Sequence, residues 1–232
     1  MNLNELDNFE NSLIKKFSSH QVFKNIQQIK NQDFFKILLQ KRFHSLKFTE
    51  IYDRAIDGLT DKEAINVCRW IVWEEYPHKQ PSHREDLFAD LIALGVDKKN
   101  ILNSKPSKKT TSSIEKIFSM LKMSEEQELF EIKIMATLRF WGEILVSNEY
   151  GKFIPRMERL GLTKNNSRFY WPHFEHDMKK TPLYAKENQM THSDKMSAIL
   201  QKIINTTKKA DYCAQIEKKV LQIKIGFYNQ FI

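Results

Sequence analysis

Residues 70–83 read Trp70-Ile71-Val72-Trp73-Glu74-Glu75-Tyr76-Pro77-His78-Lys79-Gln80-Pro81-Ser82-His83. An apolar helical stretch runs into two consecutive carboxylates, two prolines follow, and a histidine opens the next helical pattern. Glu74 lies one turn beyond Trp70 and Ile71 and two turns beyond Val67, which puts it on or beside the buried face. A carboxylate there is costly unless it is protonated, paired or bound to a metal. Pro77 and Pro81 break the helix, so His83 can return toward the same side of the molecule. A Glu-Glu pair before a helix break is more often solvated than metal-bound, so the rest of the chain must decide.

Two other stretches place acids and histidines among apolar residues. In Phe140-Trp141-Gly142-Glu143-Ile144-Leu145-Val146 a single carboxylate interrupts an apolar run inside a long helix. Its bland reading is a core acid paired with Arg139 one turn earlier. In Phe169-Tyr170-Trp171-Pro172-His173-Phe174-Glu175-His176-Asp177, His173 and Asp177 are four apart and share a helix face, as a surface pair would or as two ligands of one ion would. Imidazole and carboxylate without thiolate suit non-haem iron or manganese, whereas zinc more often recruits cysteine. Inward Glu and His donors from several helices of a bundle are a known way to hold two irons.

Around these stretches the chain reads as helix. Only six glycines and six prolines punctuate 232 residues. Apolar residues recur near a 3.6 period over 4–30 and 32–57. Asp61 is a good N-cap for a helix over about 62–76, and Gly95 closes one that starts at His83. Residues 103–113 give the only long loop signal, read as a surface connection within one domain spanning 1–232. Ser124 and Gln127 resemble a capping box opening a helix to about Ser147. Further helices are expected near 152–160, ending at Gly161, then over 166–180 and 192–228. Leu221, Ile223, Ile225 and Phe227 alternate as a strand would, but a lone strand has no partner, so helix is kept. The fold class is all-α, a bundle of about seven to nine helices.

The net charge of +8 is spread along the chain, with a small cluster at Lys105, Lys108 and Lys109. Nucleic-acid and membrane partners call for denser charge, so neither is expected. The two cysteines, Cys68 and Cys213, offer no disulfide framework, and the reducing cytoplasm is the expected setting. The first residues are acidic without an apolar h-region, and no run approaches ~18 apolar residues. The expectation is a soluble, unprocessed protein.

Taken together, Glu74-Glu75-Tyr76, His83, Leu87-Phe88 and Ala93-Leu94-Gly95-Val96 resemble the signature of haem-oxygenase-like (TenA-like) diiron oxidases and oxygenases. Glu143 lies 60 residues after His83 and 30 before His173, which fits the spacing of that family. The resemblance covers about residues 20–185. It implies two Fe(II) ions per chain and O₂ as co-substrate. Glu74 and His83 would supply one iron, Glu143 would bridge or complete the site, and His173 and Asp177 would serve the second; Glu74 and Glu143 would be the catalytic carboxylates. Glu75 is the alternate for Glu74, because the loop length varies in the family. The family has another histidine three or four residues after the aspartate, where this chain has Lys180 and Thr181. The second iron would then be weakly held, or would borrow His176 or His192. True haem oxygenases carry a glycine-rich helix that is missing here. The relatives that depend on a nucleophilic cysteine find no match either, since Cys68 reads as a small core residue.

The function implied is oxidation of a small organic substrate, an amino acid or amine with an apolar or aromatic side chain, by N-oxygenation or C–C or C–N cleavage. Trp141 and Tyr170 would line its site, and Lys180 or Arg139 would hold its carboxylate. An external electron donor and a homodimer are compatible with this reading. The alternatives are a fatty-acid-type oxidative decarboxylase, or a binding or effector protein that keeps the bundle without the chemistry. One branch of the resemblance has members described as consuming their own tyrosine, which would make Tyr52 or Tyr76 reactive.

Overall fold

Polar caps start most of the helices. The side chains of Asn2, Asp61, Ser82, Asp97, Ser107, Thr191 and Thr206 each accept a hydrogen bond from a first-turn backbone N–H, satisfying donors that the helix itself cannot. In the computed structural model, which describes residues 1–185 and 191–232, the result is helical, with no strand among the described residues. The order is α1 (Leu3–Ser18), α2 (Gln21–Asn25), α3 (Asn31–Ser45), α4 (Phe48–Gly58), α5 (Lys62–Glu75), α6 (His83–Ala93), α7 (Lys98–Asn103), α8 (Lys108–Met120) and α9 (Gln127–Thr137). A π-helical segment (Leu138–Ile144) joins α9 to α10 (Leu145–Arg159), followed by α11 (Tyr170–His176), α12 (His192–Ile203) and α13 (Thr207–Tyr228).

Several expected elements are divided or moved. The loop expected over 103–113 is shorter, because Ser107 caps α8 and helix resumes at Lys108. Ser124 and Gln127 form no capping box: the Ser124 hydroxyl donates to Glu125, and α9 has no side-chain cap. The helices expected over 124–147 and 152–160 are one continuous rod through the π segment. The region 192–228 is two helices, and the alternating residues 221–227 are helical.

Buried apolar residues from Leu6 to Tyr228 form one continuous core. Within it α13 packs against α1, α8 and α9, and α12 packs against α5 and α9. Phe17, Phe23 and Tyr228 stack together, with ring centroids 4.9 Å and 4.6 Å from Phe23. No described helix is long and apolar enough to cross a membrane.

Two features place α11, which carries His173. Gly161 ends α10 with φ near +90°, a conformation that L side chains rarely adopt. The chain then returns so that Phe174 lies against Gly151, where a Cβ would meet its ring at 2.9 Å. A side chain at 151 would push α11 away from the rod.

Candidate metal centre

Among the described residues, two groups of donors form, each with ligand atoms within 4.8 Å of one another. The first is Glu75, His83 and His173. Glu75 Oε1 is 2.8 Å from His83 Nδ1 and 3.8 Å from His173 Nε2. His173 Nδ1 lies 2.7 Å from the Phe169 carbonyl. An N–H donated there fixes the tautomer and leaves Nε2 free to bind a metal. The second group is Glu143, Asp177 and His192. His192 Nδ1 is 3.2 Å from both Glu143 Oε2 and Asp177 Oδ1, and its Nε2 is 2.8 Å from Glu74 Oε2. The buried Tyr52 hydroxyl donates a short hydrogen bond to Glu143 Oε1.

The chain delivers these residues from α5, α6, the π segment, α11 and α12, with Asp177 just past the end of α11. Glu74 and Glu75 end α5, where Tyr76 leaves helical geometry, so the two adjacent carboxylates diverge. His83 is the first residue of α6, set by the Ser82–Glu85 capping box. Glu143 lies in the π segment, a rare geometry that recurs at functional sites. In a regular helix Arg139 and Glu143 would share a face. Here Arg139 bonds Glu10 and Ser197, while Glu143 bonds Tyr52 and His192. The core pairing of Arg139 with Glu143 does not form.

Asp90, on α6, holds α11 in place. Its carboxylate accepts from the backbone N–H groups of Arg168, Phe169 and Tyr170 and from the Ser167 hydroxyl, at 2.7 to 3.1 Å. This links the helix of His83 to the helix of His173. Nothing in the sequence marks Asp90, since an acid inside an amphipathic helix carries no sign of such partners. Asp90→Ala would leave the buried N–H groups of Phe169 and Tyr170 unpaired, at roughly 1–3 kcal/mol for each unsatisfied group. Urea denaturation of the metal-free variant should show a loss of about 2 kcal/mol or more. An unchanged midpoint would remove Asp90 from this role.

The electrostatics follow from burial and contact. Burial raises Glu75, but its bonds to His173 and His83 overcome that and hold it down at about 2. Burial works against a charged His192 too, yet its bonds to Asp177, Glu143 and Glu74 push it up to about 12. Asp177 goes well above the carboxylate range, because it is buried and faces Glu143. His176 is lowered by burial and by the neighbouring histidines.

These placements group the candidate donors differently from what the resemblance implies. Glu75, not Glu74, joins His83, because the last helical residue of α5 points to α6 while Glu74 turns to His192. His173 lies with Glu75 and His83, and so apart from Asp177: α11 ends at His176, and the Asp177 side chain faces α12. His192 comes to the second group from α12. The hint in the sequence was Thr191 with Asp194, an N-cap pattern that puts His192 at the start of a helix. His176 is in neither group; it lines the outer groove.

The substrate residues change too. Arg139 is fully buried in its bond to Glu10 and cannot reach a substrate. Lys180 is exposed and lines none of the cavities around the metal donors. Tyr170 is buried edge-on against Tyr150, with centroids 5.1 Å apart. Trp141 does line a cavity beside Glu75 and His173. Cys68 is buried and pushed up to about 12 by burial and the Glu143 charge, which keeps its thiol inert. Tyr52 is spent on Glu143, and Tyr76 is exposed.

The donor set fits two divalent ions. Glu74, Glu75, Glu143 and Asp177 bring four carboxylates to one place, with three imidazoles as neutral donors. Four carboxylates, once ionised, match two dications, and the imidazoles can complete the coordination as neutral donors. A space between the two groups is lined by Phe48, Ile71 and all of these residues. It shares Glu74, His83 and His176 with an outer groove that also carries Trp73, Pro77 and Lys79.

No protein-family model matches the chain, and no curated protein matches it. Solved structures do. A domain of unknown function with a haem oxygenase-like fold from Shewanella denitrificans OS217 superposes with a TM-score of 0.68 at 15% identity, covering 100% of this chain and 92% of that one. A CADD-like protein of unknown function from Nostoc punctiforme PCC 73102 gives 0.70 at 11% identity, over 98% and 96% of the two chains. A TenA family transcription regulator from Silicibacter sp. TM1040 gives 0.64 at 8% identity, over 97% and 94%. Identities this low speak for architecture alone. The backbone follows all three over nearly its full length, and the chain has a haem-oxygenase-like fold.

Proposed function

We propose that the protein is a non-haem iron oxidoreductase that binds two ferrous ions and uses O₂ to oxidise a small organic substrate, an amino acid or amine with an apolar or aromatic side chain. The observation that carries this reading is the convergence of four carboxylates and three imidazoles on one lined space. Glu75, His83 and His173 would hold one iron, and Glu143, Asp177 and His192 the other. Bound there, ferrous iron supplies the electrons that reduce O₂.

The chain's own residues prepare the site. The Phe169 carbonyl holds the His173 ring, and Glu74 accepts from His192 Nε2, so each imidazole presents its other nitrogen inward. The Tyr52 hydroxyl fixes Glu143. Phe48, Trp141 and Phe169 make apolar walls around Glu75 and His173, which favour an apolar substrate body and keep bulk water away.

Anaerobic loading with ferrous iron tests the reading. The expected result is two irons per chain, O₂ consumption by the loaded protein, and loss of iron in Glu143→Ala and His173→Ala. No bound iron, with both variants indistinguishable from the parent, would sink it.

Proton release gives an independent check. Without metal, His192 stays protonated to about 12 and Asp177 is pushed up. A metal at these residues must displace those protons. Affinity for Fe(II) should therefore rise with pH across the neutral range, and titration calorimetry in buffers of different ionisation enthalpy should show protons released. Affinity that is flat with pH would place the metal elsewhere.

A further inference from the structure

Inside the bundle, a narrow cavity shares Phe48, Glu75 and His173 with the space between the donor groups and shares no residue with the outer groove. It is the inner end of the site. Its other polar lining comes chiefly from Lys41, His44 and Trp141. All three are buried, at 4%, 1% and 2% exposure.

These groups offer donors with little to receive them. Trp141 Nε1 has no partner, and indole nitrogen can only donate. His44 Nε2 meets the Ser113 hydroxyl at 3.1 Å, while Nδ1 has no partner. If Ser113 donates to Nε2, the neutral ring carries its hydrogen on Nδ1. Lys41 Nζ reaches Glu149 Oε2 at 3.4 Å and the Tyr150 hydroxyl at 3.5 Å, both at the long limit of a hydrogen bond. Glu149 is held more tightly by Lys224, at 2.7 Å.

The charges point the same way. Two buried ammonium groups, Lys41 and Lys224, share the single Glu149 carboxylate. Glu75, the acid that lines the cavity, is bound to His83. Burial and the Lys41 charge push Lys224 down to about 7, against the pull of Glu149. One carboxylate thus answers two buried amines, and Lys224 titrates near neutral pH in response.

We propose that this inner cavity seats the carboxylate of the substrate, with Lys41 and Trp141 Nε1 as its donors, so that the substrate is a small organic acid and not a simple amine. The proposal deepens the oxidoreductase reading and rests on it for the reaction, though not for binding. It replaces Lys180 and Arg139 as the carboxylate anchor. An amine entering by its cationic end would meet the Lys41 charge. An acid entering carboxylate-first leaves its apolar body between Phe48, Phe169 and the donor groups.

Binding of butyrate, butyramide and butylamine to the full-length metal-free protein, followed by titration calorimetry, tests this. Removing metal prevents direct coordination of the carboxylate from imitating the effect. Butyrate should bind at least about tenfold more tightly than butyramide, the scale of a charged hydrogen bond, and butylamine should not bind. Lys41→Met should abolish that preference, and Trp141→Phe should weaken it, while Lys180→Met leaves it intact. Equal binding of butyrate and butyramide would overturn the proposal, as would a full preference in folded Lys41→Met. If Lys41→Met does not fold, the parent's preference and Trp141→Phe decide. The two readings fail separately: iron uptake without butyrate preference refutes the carboxylate seat alone, and butyrate preference without iron uptake refutes the iron centre alone.

Discussion

Glu75→Ala should remove the iron held with His83 and His173, whereas Glu74→Ala should weaken the other iron without abolishing it. The two residues are neighbours in sequence and similar in chemistry, so the contrast is a test of geometry. Glu75 Oε1 faces both His83 and His173. Glu74 faces only the outer nitrogen of His192. Loss of such an outer partner typically lowers metal affinity about 10–100-fold, while loss of one of three protein donors leaves two imidazoles and no anionic ligand. Anaerobic Fe(II) titration of both variants reads this directly. If Glu74→Ala loses an iron outright and Glu75→Ala keeps both, the assignment of the adjacent acids is reversed.

The second large effect lies away from the centre. Arg139 is completely buried; it bonds Glu10 in a two-pronged contact, with Nη2 3.1 Å from Oε1, and reaches Ser197 Oγ at 2.8 Å and Glu217 at 3.6 Å. Lys179 adds contacts of 2.7 Å to Glu10 and to Asp7. Burial alone would raise Glu10, yet Arg139 and Lys179 hold it down at about 2. Glu217 rises well above the carboxylate range, through burial and the Glu10 charge. Breaking one side of a buried pair strands the other charge, which typically costs 3–5 kcal/mol, so Arg139→Met should lose about that much at pH 7.

The pH dependence has a definite sign. In the parent, Glu10 binds its proton more readily unfolded, near 4.5, than folded, near 2. Its contribution is therefore present above pH 4.5 and lost as pH falls toward 2. Without Arg139 the folded carboxyl moves up, and that acid-side loss disappears. Denaturant midpoints of parent and Arg139→Met should converge on acidification from pH 7 toward pH 3. A gap that is constant with pH would show that packing, not charge, sets the cost.

The sequence alone carried the fold class and much of the donor set. Apolar periodicity and scarce glycine and proline specify helices, because a 3.6 period is a local property of the chain. Acids and histidines at buried helical positions are also locally visible, since polar groups there demand a reason. Glu143, His83, His173 and Asp177 were legible on that ground. Partner choice was not. Glu74 and Glu75 differ by one residue at a helix end, and which of them meets His83 depends on how α5 and α6 dock. The π segment that separates Glu143 from Arg139 leaves no mark in composition, because it is selected by the packing of both faces of the rod. His192 lies 49 residues from Glu143 in sequence and 3.2 Å from it in space, and only the docking of α12 brings it there. Local periodicity thus determined that this chain is a helical bundle with acids and histidines turned inward, and long-range packing decided which of them lie within reach of one another.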